Sequence, residues 1–83
     1  MYNVTIVRSA QKELARLPAA DYRRVLTAIE SLATSPRPSG CTKLTGSEFW
    51  RIRVGQYRVV YAIKDTELIV TVVKVGNRRD VYR

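Results

Sequence analysis

Histidine is absent from this 83-residue chain, and cysteine occurs once, as Cys41. Without imidazole no histidine acid/base pair can operate, and a lone thiol closes neither an intrachain disulfide nor a cysteine metal cluster. Stability must come from packing, and the expected compartment is a reducing one. Acids are scarce, with 7 Asp and Glu against 15 Lys and Arg, for a formal charge of +8. That surplus on a small chain points to a polyanionic partner: nucleic acid, an anionic membrane surface or an acidic protein segment. Long apolar runs are missing too. No stretch approaches the roughly 18 apolar residues of a membrane-crossing helix, and "MYNVTIVRSA" has neither the basic start nor the long apolar core of an export signal. The expectation is a cytoplasmic protein without a membrane span. A chain of 83 residues supports one modest core, so residues 1–83 read as a single domain.

What is present alternates in an ordered way. Residues 2–8, "YNVTIVR", carry the period-two pattern of a strand. Ser9 is a candidate N-cap for "AQKELARL", in which Ala10, Leu14 and Leu17 form one apolar stripe. Pro18 ends that helix or opens the next, in which Tyr22, Val25, Leu26, Ile29, Leu32 and Ala33 repeat at helical spacing. "SPRPSG", 35–40, reads as a loop. Three apolar runs follow, at 48–54, 57–63 and 68–75, joined by Gly55-Gln56 and by "KDTE". Both joints suit hairpins, and Gly in first place suits a type II′ turn. The order β-α-α-β-β-β predicts an α+β fold, a helical hairpin packed on one face of a small, twisted, mostly antiparallel sheet.

The stretch "WRIRVGQYRVVYAI", 50–63, concentrates three arginines in two of these strands. A two-residue turn at Gly55-Gln56 sets Arg53 opposite Arg58, Ile52 opposite Val59 and Trp50 opposite Tyr61. Trp50, Ile52, Val54, Tyr57, Val59 and Tyr61 then share the face that buries the helices, and Arg51, Arg53 and Arg58 share the other. Carried through "KDTE", the same register adds Leu68, Val70 and Val72 to the buried face and Ile69, Thr71, Val73 and Val75 to the arginine face. Arg53 directly opposite Arg58 costs several tenths of a kcal/mol, on the order of any like-charged cross-strand pair, unless an anion lies between them. Guanidinium forks match phosphate oxygens two at a time, so the pattern predicts a phosphate site. The tail "KVGNRRDVYR", 74–83, adds Lys74, Arg78, Arg79 and Arg83, and Gly76-Asn77 reads as a turn that folds it back toward the arginines, with Tyr82 among them. Asp65 and Glu67 fall in a turn, and no ligand cluster stands out, so neither a metal nor a cofactor is expected.

"KLTG" at 43–46, "WRIRVGQYRVVYAI" at 50–63 and "VGNRRDVYR" at 75–83 together resemble the RelE-type toxins of the RelE/ParE toxin-antitoxin superfamily. The likeness covers nearly the whole chain. It implies a ribosome-dependent messenger-RNA endonuclease in which a ribose 2′-hydroxyl attacks its own 3′-phosphate without a metal. On that resemblance Arg51, Arg58, Arg78 and Tyr82 are the catalytic set, and Arg53, Arg79 and Lys74 bind substrate. Tyr82 is open to a role as base, acid or stacking platform. The family often carries lysine at the two positions flanking Ile52; arginine, with a pKa above about 12, does not release a proton there. Some members have histidine where this chain has Asn77. The implied partners are an acidic RelB-type antitoxin, forming a hetero-oligomer with an otherwise monomeric toxin, and messenger RNA on the ribosome, at the A site beside 16S ribosomal RNA. The alternative within the same superfamily is a ParE-like, non-enzymatic gyrase inhibitor.

Overall fold

The computed structural model describes residues 1–77. Its elements are β1 (Asn3–Ile6), α1 (Arg8–Ala15), α2 (Ala19–Ser31), β2 (Thr42–Lys43), β3 (Phe49–Val54), β4 (Tyr57–Lys64) and β5 (Ile69–Asn77). They form one five-stranded sheet in the order β1-β5-β4-β3-β2. β1 runs parallel to β5 and the other pairs are antiparallel. The fold is the expected α+β one, with β3, β4 and β5 as a meander.

Helix spacing decides which residues reach the core. Ala10 and Leu14 of α1, with Val25, Ile29 and Leu32 of α2, are buried against Ile52, Tyr57, Val59, Tyr61, Val70 and Val72 of the sheet. Tyr22, assigned to the same stripe, stays 37% exposed near the start of α2. α1 begins at Arg8, with Val7 rather than Ser9 at its N-cap, and no side chain caps it. Gln11 holds this entry instead, its backbone N–H donating to the Val7 carbonyl at 2.9 Å and its Nε2 to the Ile6 carbonyl at 2.7 Å. Pro18 stands at the N-cap of α2, where its missing N–H costs nothing. Tyr61, fully buried, donates its hydroxyl to the Pro36 carbonyl at 2.7 Å and so ties the 35–40 loop to the sheet. Burial pushes its phenol pKa upward.

Four further details depart from the sequence reading. β2 is an extra two-residue strand on β3, pairing Thr42 with Arg51 and Lys43 with Trp50. Gly76 and Asn77 do not turn: they continue β5 opposite Arg58 and Tyr57. Leu68 does not join the buried face, being 46% exposed with φ +54° in the β4–β5 turn, where its N–H donates to the Asp65 carbonyl at 3.3 Å. Val75 is not on the arginine face but is buried in the core. Its change of side follows from a bulge. Val60 pairs with Lys74 whereas Tyr61 pairs with Val72, so β5 carries one extra residue and side-chain parity switches beyond it.

Candidate functional site

The β3–β4 hairpin adopts the expected register, residue for residue. Gly55 takes φ +60° as the first residue of the two-residue turn, a conformation open to glycine at little cost. Val54 then pairs with Tyr57, Arg53 with Arg58, Ile52 with Val59 and Arg51 with Val60. On its other side Arg58 faces Gly76 of β5, which has no side chain to compete for the space. One rung of the sheet therefore reads Arg53, Arg58, Gly76, on the face away from the helices.

The three arginines differ in environment. Arg53 is exposed, Arg51 is half-buried, and Arg58 has only 5% of its surface accessible. Among the described residues Arg58 is the one charged side chain that is buried. A buried guanidinium has few ways to move, and a donor fixed in a partly dry place acts on a nearby negative charge more strongly than one in water. A pocket of about 290 Å³ opens beside this rung, lined by Arg53, Gly55, Gln56, Tyr57 and Arg58. A larger hollow of about 550 Å³ lies along the β3 edge toward α2 and the 38–40 loop, and Arg51 and Arg53 reach its rim. Arg53 thus belongs to both cavities.

Lys74 has a different setting. Its Nζ lies 2.7 Å from Glu13 Oε2 of α1, and the second carboxylate oxygen of Glu13 accepts the Val75 N–H at 3.0 Å. β1 pairs with β5 only as far as Val72, so Glu13 takes the place of the missing strand edge just beyond. The ammonium assigned to substrate is committed to that carboxylate and does not line the pocket beside Arg53 and Arg58. Arg78, Arg79 and Tyr82 lie outside the described residues.

Two features had no signal in the sequence. At the opposite end of β4, Asp65 accepts hydrogen bonds from Tyr2 Oη at 2.6 Å and from Arg37 at 2.9 and 3.2 Å. The guanidinium of Arg37 lies over the Trp50 ring, 5.0 Å from its centroid. These bonds, first from Arg37 and then from Tyr2, pull the Asp65 carboxyl down to about 2. The second feature is Arg24 of α2, whose guanidinium packs against Gly55 at the tip of the β3–β4 turn. Among the described residues no three His, Cys, Asp or Glu side chains gather as a metal would require, and no helix is long and apolar enough to cross a membrane.

Two helices packed on one face of this mixed sheet are the architecture of toxins from type II toxin-antitoxin systems. The family described as ParE toxin of type II toxin-antitoxin system, parDE, matches residues 4–82, and the chain belongs to it. Within that superfamily it is a RelE-type toxin. It is 31% identical over 86 residues to "Putative toxin RelE1" of Methanocaldococcus jannaschii, covering 99% of this chain and 96% of the relative. It superposes on the toxin of the archaeal RelE-RelB complex from Pyrococcus horikoshii with a TM-score of 0.84 at 32% identity, over 95% of this chain and 97% of the other. The isolated RelE toxin of E. coli gives a TM-score of 0.81 at 28% identity, over 99% of this chain and 92% of the other.

Proposed function

We propose that this toxin is a ribosome-dependent messenger-RNA endonuclease that acts in the cytoplasm and inhibits translation. The observation that carries the reading is the rung in which buried Arg58 stands opposite exposed Arg53 at the mouth of a pocket. Two guanidinium forks on one rung present paired donors whose spacing suits the oxygens of a phosphodiester. In the proposed step the ribose 2′-hydroxyl gives up its proton as its oxygen attacks the adjacent phosphorus, the bond from phosphorus to the 5′-oxygen breaks and that oxygen takes up a proton, and the products are a 2′,3′-cyclic phosphate and a free 5′-hydroxyl. The nucleophile belongs to the substrate, so the protein's work is to align the linkage and to stabilise charge on the pentavalent phosphorane.

Arg58 and Arg78 supply that charge, Arg51 positions the linkage, Arg53 orients the RNA at it from across the rung, and Arg79 holds the flanking RNA. Lys74 contributes to the positive field of the site while its ammonium stays anchored on Glu13. Tyr82 is the titratable member of the set, and Tyr82→Phe separates a proton role from stacking: a variant that cuts at the wild-type rate has retained stacking and lost no proton transfer. A cognate acidic antitoxin of RelB type is the proposed partner, since the Pyrococcus horikoshii relative is seen in a RelE-RelB complex and a charge of +8 favours an acidic, partly disordered chain. The toxin alone is then a monomer, and the complex a hetero-oligomer.

The test incubates purified toxin with messenger RNA, with and without translating ribosomes, and maps the new termini. Cyclic-phosphate ends that appear only with ribosomes support the reading. The match to the ParE family keeps a second reading in view, a non-enzymatic gyrase inhibitor. Intact transcripts together with arrested supercoiling would select it.

A further inference from the structure

Three places in the described residues have chemistry that the proposed reaction does not use. They are the Asp65–Arg37–Tyr2 cluster, the hollow along the β3 edge and the tip of the β3–β4 turn. The first is a closed structural contact, with Asp65 satisfied by both neighbours. The second is an open hollow whose occupant nothing in its lining selects. The turn tip is different, because three independent features there hold a cation in one place.

Arg24 leaves α2 on its exposed side, and its side chain, though largely exposed, bends to the turn rather than extending freely. It packs against Gly55, and a Cβ at that position would collide with Arg24 NH2. The turn glycine therefore does two things: it permits φ +60°, and it leaves the space the guanidinium occupies. From the helix side, Asp21 draws Arg24 NH2 to 3.8 Å of its Oδ1. Asp21 is itself fixed, because its Oδ2 accepts the Tyr57 hydroxyl at 2.9 Å, and Gln56 Nε2 donates to that same hydroxyl oxygen at 3.3 Å. Gly55, Gln56 and Tyr57 also line the pocket that Arg53 and Arg58 share. Arg53 and Arg58 form the second rung from the turn, so about two strand residues, roughly 7 Å along β3, separate Arg24's perch from the like-charged pair.

We propose that Arg24, seated on the Gly55 turn, forms a second phosphate subsite that takes the phosphodiester neighbouring the one held by Arg53 and Arg58. The inference rests on the endonuclease reading. A single-stranded RNA crossing the sheet's arginine face would pass the hairpin tip as it leaves, and a guanidinium already ordered there loses less freedom on binding than a free side chain. The surface pair with Asp21 is weak, with Arg24's side chain 61% exposed, so a phosphate displaces it readily. Arg23, its exposed neighbour on α2, carries the same charge but has no such perch, which makes it the control.

The experiment measures binding of a single-stranded RNA oligonucleotide by fluorescence anisotropy over a series of salt concentrations, for wild type, Arg24→Ala, Arg24→Lys and Arg23→Ala. Loss of one phosphate contact lowers the slope of log affinity against log salt by about 0.7 for a single strand. Arg24→Ala is expected to show that loss with an unchanged melting temperature, Arg24→Lys to recover most of it, and Arg23→Ala to leave the slope at the wild-type value. Equal losses from Arg23→Ala and Arg24→Ala assign the effect to net charge and overturn the subsite. A salt-dependent wild type that Arg24→Ala matches in slope and affinity overturns the subsite alone and leaves the endonuclease reading standing. A wild type that neither binds nor cuts RNA removes both.

Discussion

β4 runs between two turns that treat charge in opposite ways. At its Lys64 end, acids and bases are matched: Asp65 takes hydrogen bonds from Arg37 and Tyr2, and Lys64 lies 3.9 Å from Glu67. At its Tyr57 end, Arg58 is buried directly across from Arg53, and Arg24 lies on the turn between their strands. The matched end is a clamp: it fastens the N-terminal strand, the 35–40 loop and the β4–β5 turn to one another. The Tyr57 end gathers arginines where the backbone already sets the geometry, with Asp21 beside Arg24. Asp65, Glu67 and Glu13 pair with Arg37, Lys64 and Lys74 away from that rung, and Asp21 pairs with Arg24 at the turn.

The largest expected effect breaks the arginine end outright. Arg58→Ala removes a preformed donor, which by analogy with oxyanion sites raises the barrier by roughly 2.7–4 kcal/mol, a hundredfold to a thousandfold in rate. Ribosome-dependent cleavage by this variant should fall below detection in a primer-extension assay, and cleavage near the wild-type rate would remove Arg58 from the mechanism. Next comes the turn that sets the rung. Gly55→Ala forces a side chain into φ +60° and into the space of Arg24 NH2. The left-handed backbone alone costs about 1–2 kcal/mol, which for a domain of this size lowers the melting temperature by about 4–8 °C per kcal/mol. An unchanged melting curve would show that the turn relaxes freely.

Arg53→Glu places an acid directly opposite Arg58 on the rung. An opposite-charge pair across the strands in place of a like-charge pair stabilises by about 0.2–1 kcal/mol, so the variant should melt higher than wild type while binding RNA more weakly. A variant that is both less stable and less active would mean that Arg53 serves the fold as well as the site. The smallest effect tests the clamp. Asp65 is held at about 2, below the usual 3.8, so the stability it contributes is fully present above pH 3.8 and is lost as pH falls toward 2. Because Arg37 lies over Trp50, the one tryptophan, release of the clamp should change indole emission across that window. Asp65→Asn should lack the acid limb of the transition, and an identical profile in wild type and variant would assign the acid response to other carboxylates.

How far the site could be read from the sequence depended on how local its causes were. The β3–β4 register was legible in full because a glycine-first two-residue turn and period-two alternation together leave one pairing that buries Trp50, Ile52, Tyr57 and Tyr61 on the same side. The same reasoning failed at Val75, one strand further on, because the bulge beside Val60 and Tyr61 inserts a residue that alternation does not register. Leu68 failed for a related reason: the turn claims it with a positive φ, whatever its hydrophobicity. β2 was missed because two residues are too few to show a period. Lys74 carried the charge expected of a substrate contact, but nothing in the tail told that Glu13, on a helix 61 residues away, would take it.

The amino-acid order by itself determined the class of fold, the sides of the central hairpin and the crowding of arginines on one of them, since each follows from neighbours two to four residues apart. Only the tertiary structure decided which of those cations are engaged elsewhere, which one is buried, and that a helix arginine comes to rest on the turn glycine. The engaged cations and the seat of Arg24 depend on contacts between residues 28 to 61 positions apart, where packing geometry rather than local periodicity selects the partner.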